Sequence, residues 1–341
     1  MSYISDGNLR KLLDILREDY GVYLPVKKGE QRFYRRCDGS FDDVVIGEVR
    51  AFEPLKAFFT RARELVAEGF APDVPPSLGK PLAIVGVKAC DLKGFKVQDR
   101  VFADHDFQDP LYIRNRKENL IISADCTCAI DTCFCLALGV TPAPREDTDI
   151  NLSAVRGGYL TEAFSDKGRA LITKHKTLFE EAKREQEADR DRLRAKVKAQ
   201  VEENIKREGV PSQDRFPGII ERNLESKMWE EEVKACVECG ACTLICPTCH
   251  CFLLYDQKDE ARMARLRVWD SCMFKGYARV AGGANPRPKL WMRLRNRFDK
   301  KFDYFPKVAD FYACTGCGRC ISACPAKIDI RKVLKRLVEN A

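Results

Sequence analysis

No run of apolar residues in this 341-residue chain approaches the roughly 18 needed to cross a bilayer, so no membrane insertion is expected. The amino-terminal stretch Met1–Asp19 has no unbroken apolar core of the kind a secretion leader carries. Its Leu9, Leu12, Leu13 and Leu16 instead follow helical spacing, and a cytoplasmic protein is expected. A glycine-rich dinucleotide fingerprint is missing too: Gly282-Gly283 runs into Ala-Asn-Pro, which does not open a helix at the required spacing. Walker, nucleophile-elbow and zinc-protease motifs are absent. No flavin or NAD is therefore expected on this chain alone. Neither sign of charge is scarce. The surplus of 59 basic over 51 acidic side chains, +8, is modest for the length and says little about fold.

Cysteine is what the chain has in excess. Seventeen is an odd number, in a sequence far larger than a disulfide scaffold and with no secretion signal expected, so clustered thiols point to metal. Two groups repeat: Cys236-x2-Cys239-x2-Cys242-x3-Cys246-Pro247 and Cys314-x2-Cys317-x2-Cys320-x3-Cys324-Pro325. Each is the bacterial ferredoxin run. Three closely spaced thiolates wrap one cubane, while the fourth ligates the partner cluster. The expectation is specific: cluster one on Cys236, Cys239, Cys242 and Cys324, and cluster two on Cys314, Cys317, Cys320 and Cys246. Gly240, Gly316 and Gly318 would let backbone amides approach the sulfides. Zinc usually takes two separated pairs closing one tetrahedron, which is not this pattern.

Around these runs the chain reads as an α/β N-terminal domain (1–170), a charged helical linker (171–222), and a helical domain (223–341) carrying a split ferredoxin-like two-[4Fe-4S] module interrupted by residues 252–309. In the first part a helix is expected over Asn8–Tyr20 and a strand at Val44–Ile46. A second helix is expected from Pro54, with Leu55, Phe58, Phe59, Ala62, Leu65 and Val66 on one face, followed by a loop over Pro72–Pro81. Buried strands Leu82–Val87 and Leu120–Ser123 each lead into cysteine, placing Cys90, Cys126 and Cys128 in strand-end loops. Residues 166–207 read as a solvated helix or helical hairpin, and their interleaved acids and bases argue against a nucleic-acid arm. The basic, aromatic stretch Arg287–Lys307 reads as a linker anchored by its apolar residues. Lys289, Arg293, Arg295, Arg297, Lys300 and Lys301 are expected to face solvent or a protein, not nucleic acid.

With these stretches in place, the whole chain resembles the iron–sulfur electron-transfer subunit shared by cytoplasmic sulfhydrogenases (their beta subunit) and anaerobic sulfite reductases. The matching segments are Val85-Gly-Val-Lys-Ala-Cys-Asp91, Asp109-Pro-Leu-Tyr112, Cys133-Phe-Cys135 and Cys246-Pro-Thr-Cys-His-Cys-Phe252. Trp269-Asp-Ser-Cys-Met-Phe274, Gly282-Gly-Ala-Asn-Pro-Arg287 and the second ferredoxin run complete them. The resemblance implies a relay between a catalytic redox subunit (hydrogenase, sulfite reductase or heterodisulfide-reductase-like) and a flavin/NAD(P)H-binding subunit, with no catalysis by this chain alone. The alternative is a catalytic iron–sulfur subunit that reduces a disulfide or sulfur compound.

Cys90, Cys126, Cys133 and Cys135 follow the family pattern and are candidates for a third [4Fe-4S] cluster, with Cys128 competing for the place of Cys126. Small buried residues or zinc are the competing readings. Cys249, Cys251 and Cys272, with His250, are open between metal binding and a packed or interface role. Cys37, His105 and His175 read as ordinary residues. Asp91 reads as the cap of a helix starting at Leu92 or, less simply, as a tuner of a nearby cluster.

Overall fold

In the computed structural model, which describes residues 1–69, 79–104, 106, 108–258 and 263–340, the Ser5 hydroxyl after β1 (Ser2–Ser5) accepts from Asn8 N at 3.2 Å and starts α1 (Asp6–Asp19). The leucine stripe of α1 is fully buried, and each such side chain contributes roughly 1.5–3 kcal/mol relative to exposure. It lies on one face of an eight-stranded mixed sheet. That sheet comprises β1, β2 (Gly21–Lys28), β3 (Gln31–Arg36), β5 (Leu82–Val87), β6 (Leu120–Ala124), β7 (Ile150–Val155), β8 (Gly158–Ala163) and β9 (Glu180–Glu181). Their order is β3-β2-β5-β6-β7-β8-β1-β9, with β2, β5, β6 and β7 parallel.

Strand alternation divides the core. Ala83, Val85, Leu120 and Ile122 meet α1, while Ile84 and Ile121 meet α2 (Ala89–Phe102) and α3 (Pro110–Glu118) on the opposite face. At Gly86 the β5–β6 register slips, which sends Val87 to the same face as Ile84. Gly86 has φ +76°, and a Cβ there would lie 2.8 Å from Pro25 Cγ, so this position requires glycine. The kink delivers Lys88 and Cys90 to the sheet's carboxyl edge.

Two expectations fail here. Pro54 starts only a short 3-10 turn, Leu55–Phe58, and Arg63–Glu68 forms strand β4 instead of more helix. The reason is tertiary: β4 pairs with β11 (Met263–Trp269), which pairs with β10 (Phe252–Lys258), so the insertion of the second half completes a three-stranded sheet with the first. Val44–Ile46 forms no strand and makes one isolated bridge to Val26. The Pro72–Pro81 loop through residue 78, and His105, lie outside the described residues.

The charged segment becomes α4 (Asp166–Lys174) and α5 (Arg184–Glu208), the latter ended by Gly209 at φ +61°. α5 is solvated except along Val197, Val201 and Asn204. The second half has its own core, in which Trp229, Phe216, Phe298 and Phe302 pack with the helix Ile330–Glu339. No helix among the described residues is long and apolar enough to cross a membrane.

Candidate metal centres

The two ferredoxin loops share one backbone shape. Glu238 (φ +55°) and Gly240 (φ +71°) in the first correspond to Gly316 (φ +63°) and Gly318 (φ +70°) in the second. Glu238 tolerates its conformation because Arg293, itself fully buried, pairs with it at 2.8 Å and also donates to the carbonyls of Met273 and Pro288.

The first loop curls around a cavity lined by Cys236, Cys239 and Cys242. Cys324 of the second run closes it, with Met273, Leu294, Ile328 and Ile330 as an apolar wall. Around the second loop, Cys246 lies close enough to Cys314 and Cys320 to act on both electrostatically, and Cys317 acts on both as well. Burial pushes the Cys314 thiol up to about 11 and Cys320 up to about 12, against the opposing pull of Lys301 and Arg297. The structure thus brings together each three-cysteine loop and the fourth cysteine of the other run.

A third ring sits at the carboxyl edge of the large sheet. Cys90, Cys126, Cys128, Cys133 and Cys135 line one cavity with Arg50, Val197 and Val201. Both Cys126 and Cys128 reach it, so geometry leaves the choice between them open. Lys88, buried at the strand ends, ties the ring's backbone together by donating to Ile46 O (2.7 Å), Ala124 O (3.3 Å) and Asp125 O (3.2 Å). α5 fixes the 126–135 loop: Gln200 accepts from Ala129 N at 3.0 Å, and Asn204 donates to Ile130 O at 2.8 Å. Burial pushes Cys126 up to about 12 and raises Cys133 and Cys135.

The rings adjoin one another. Cys320 of the second loop also lines the first cavity, while Gly316 and Cys317 line the third. Phe134 N donates to Gly316 O at 2.9 Å, and Arg50 bonds Cys317 O and, at 3.3 Å, Ser322 Oγ. Asp91 is not a helix cap, because α2 already begins at Ala89. Its carboxylate accepts from Leu55 N (3.1 Å) and pairs at 2.7 Å with Arg319, which also donates to Ala51 O. It therefore locks the Cys90 helix to the second ferredoxin loop.

Cys249, Cys251 and Cys272 meet in a further cavity of about 150 Å³ with His250, Tyr277, Lys300 and Lys301. Cys249 contacts Cys246, and Cys251 hydrogen-bonds Cys272 and Tyr277, which brings Cys251 down to about 6 against the effect of burial. Burial holds His250 neutral, lowered to about 4, with Nδ1 3.2 Å from Thr248 O. Cys37 packs in the α1 core.

Several basic residues read as solvent-facing turn out to be buried. Arg293, Arg297 and Lys301 recur every fourth residue and form one inward stripe of the helical segment that begins at Leu290. Lys301 donates to Thr248 Oγ1 and Ala313 O, both at 2.8 Å, and to Cys246 Sγ at 3.4 Å. Arg297 lines the first cavity and the Cys249–Cys272 cavity, and its Nε and one Nη have no protein hydrogen-bond partner. Burial works against its charge, but Cys242, Cys320, Cys249 and Cys246 outweigh that and raise its pKa. The spacing of four was the available signal.

Among the described residues, no three Cys, His, Asp or Glu side chains converge on the single point that one metal ion needs. The thiols of the first and third rings line cavities instead, beside the buried guanidinium groups of Arg297 and Arg50. All-thiolate rings with nearby cations suit an anionic polynuclear iron–sulfur group.

Comparison with known proteins agrees. The family model for a 4Fe-4S dicluster domain matches residues 235–328, which contain both ferredoxin runs. This is an iron–sulfur protein of the electron-transferring, oxidoreductase-associated class. Sulfhydrogenase 2 subunit beta of Pyrococcus furiosus is 32% identical over 327 residues, covering 95% of this chain and 94% of that one. The chain belongs to the sulfhydrogenase beta-subunit family.

Proposed function

We propose that the chain is the electron-relay subunit of a larger redox complex, with three [4Fe-4S] sites in line. The first is held by Cys236, Cys239, Cys242 and Cys324, the second by Cys314, Cys317, Cys320 and Cys246. The third is held by Cys90, Cys126, Cys133 and Cys135. The observation that carries this reading is the shared walls: the second ring contributes Cys320 to the first cavity and Cys317 to the third. Bound clusters would supply reversible one-electron chemistry.

The chain's own residues do the rest. Apolar walls exclude water, buried arginines and lysines offset the negative charge of thiolate-bound groups, and the Asp91–Arg319 pair fixes the third ring against the second. The first ring is the one nearest solvent, with Val237 67% exposed beside an exposed Cys239, and suits exchange with one partner. Leu253, Leu254 and Met263 expose apolar surface on the β10–β11 hairpin and suit docking. The partners in this reading are a catalytic redox subunit plus a flavin/NAD(P)H-binding subunit, in the cytoplasm. This chain itself binds neither flavin nor NAD.

Iron and acid-labile sulfide per chain, measured on anaerobically purified protein with reduced-state EPR, test the proposal. About 12 irons are expected for three cubanes, and about 8 would remove the third. Iron near zero with stoichiometric zinc would overturn the relay. Separate C126S and C128S variants identify the fourth ligand of the third site, because only the true ligand costs the protein cluster iron.

A further inference from the structure

Five thiols are left over once the relay is assigned, Cys37, Cys128, Cys249, Cys251 and Cys272, and two of them, Cys251 and Cys272, pair with each other. Cys251 sits just before β10 and Cys272 just beyond the end of β11. The pairing Phe252↔Trp269 and the bond from Asp270 N to Cys251 O at 2.9 Å hold the two chain ends side by side. Around the first and third rings the thiols act on one another through space. Cys249 lies within hydrogen-bonding reach of Cys246, a member of the second ring, whereas Cys251 and Cys272 lie within such reach of each other and neither belongs to a ring. Two thiols facing one cavity from paired strand ends, with neither in a ring, are placed for a disulfide rather than for ligands spread around a cluster.

We infer that Cys251 and Cys272 are a redox-active dithiol, a two-electron centre beside the one-electron relay. This rests on the relay reading, because the neighbouring clusters are its electron partners. Cys249, in the same cavity, touches Cys246 of the second ring, so the pair lies one residue away from that site. In the oxidising direction both S–H bonds break and one S–S bond forms. Two protons leave through the open cavity, and two electrons pass singly to oxidised iron–sulfur centres. The reverse takes two electrons and two protons and restores both thiols.

The surroundings fit that cycle. Tyr277 hydrogen-bonds the Cys251 sulfur, and Arg287, Lys300 and Lys301 face the cavity without a carboxylate among its lining residues, which favours the thiolate that must form on the way to a disulfide.

The test poises anaerobic holoprotein at a series of potentials, quenches it with iodoacetamide and maps cysteines by peptide mass spectrometry. The expected result is one transition in which Cys251 and Cys272 lose alkylation together and appear as a linked peptide, with the slope of a two-electron couple. C272S should abolish the link and leave Cys251 alkylated at every potential, with iron content and cluster EPR unchanged; C251S is the reciprocal check. No linked peptide at any potential overturns the inference, as does a C272S protein lacking about four irons, which would make Cys272 a cluster ligand. Failure of the relay reading is seen separately, as missing iron in the unsubstituted protein.

Discussion

Replacing Arg297 by glutamine removes one positive charge from between the first two cysteine rings. The side chain is 5% exposed, lines the first cavity, and is raised in pKa by thiols of both ferredoxin runs. A reduced cluster carries one more negative charge than an oxidised one, so a neighbouring cation favours reduction and its loss must lower the potential. For a separation on the order of 6 Å and an effective dielectric of about 20, the interaction is about 3 kcal/mol. At about 59 mV per 1.4 kcal/mol for a one-electron couple, that is on the order of 100 mV, spread over two clusters. The assay is an EPR-monitored redox titration of anaerobic protein with its iron content verified. Arg297→Gln should shift at least one ferredoxin-type cluster negative by about 50–120 mV. Arg297→Lys should restore most of the difference. Lys307→Gln removes the same charge from a solvent-exposed position paired with Glu221 and Asp303, and screening should leave the potentials nearly unmoved. Unchanged potentials in Arg297→Gln with full iron would refute the idea that this guanidinium compensates cluster charge.

Three other substitutions probe the framework. Asp91→Asn breaks an ion pair whose side chains are 1% and 0% exposed, and should cost about 3–5 kcal/mol, read as a fall in the thermal unfolding midpoint of the holoprotein; a midpoint within experimental scatter would deny the pair its locking role. Gly318→Ala adds a Cβ 2.2 Å from Thr132 O at a φ of +70° and should destabilise by more than about 1–3 kcal/mol, whereas Gly276→Ala meets nothing within 4 Å and should be near neutral in the same denaturant titration. Cys239→Ala should lose or convert one cluster and cut electron flow to the partner; normal turnover in the assembled complex without that cluster would sink the relay role.

What the sequence could disclose depended on how local each signal was. The ferredoxin runs were legible because each holds its four cysteines within eleven residues, at a spacing that reflects the wrapping of one loop. Buried parallel strands were legible from short apolar runs, and α1 from its leucine stripe. The segment after Pro54 misled because Leu65 and Val66 fit a helical face, yet their strand is made by a partner some two hundred residues later in the chain. Helical periodicity cannot see such a pairing. Arg297 and Lys301 defeat the sequence reading for a related reason. A cation is assigned to solvent unless something buried needs its charge, and that something is a thiol set assembled from other parts of the chain.

The insertion between the two ferredoxin runs is where these non-local terms meet, which argues that it is a working part of the relay and not a spacer. Its hairpin ties the second half to β4, and its helical segment carries the inward stripe Arg293, Arg297 and Lys301. Arg293 holds the strained Glu238 in the first loop, Arg297 stands between the first two rings, and Lys301 bonds Cys246 of the second. One helical face thereby shapes one cysteine loop and compensates the charge of both. A ferredoxin module without this insertion would keep its eight ligands but lose those three cations. Its clusters would then be held in a less positive environment, with potentials displaced to more negative values than the intact chain supports.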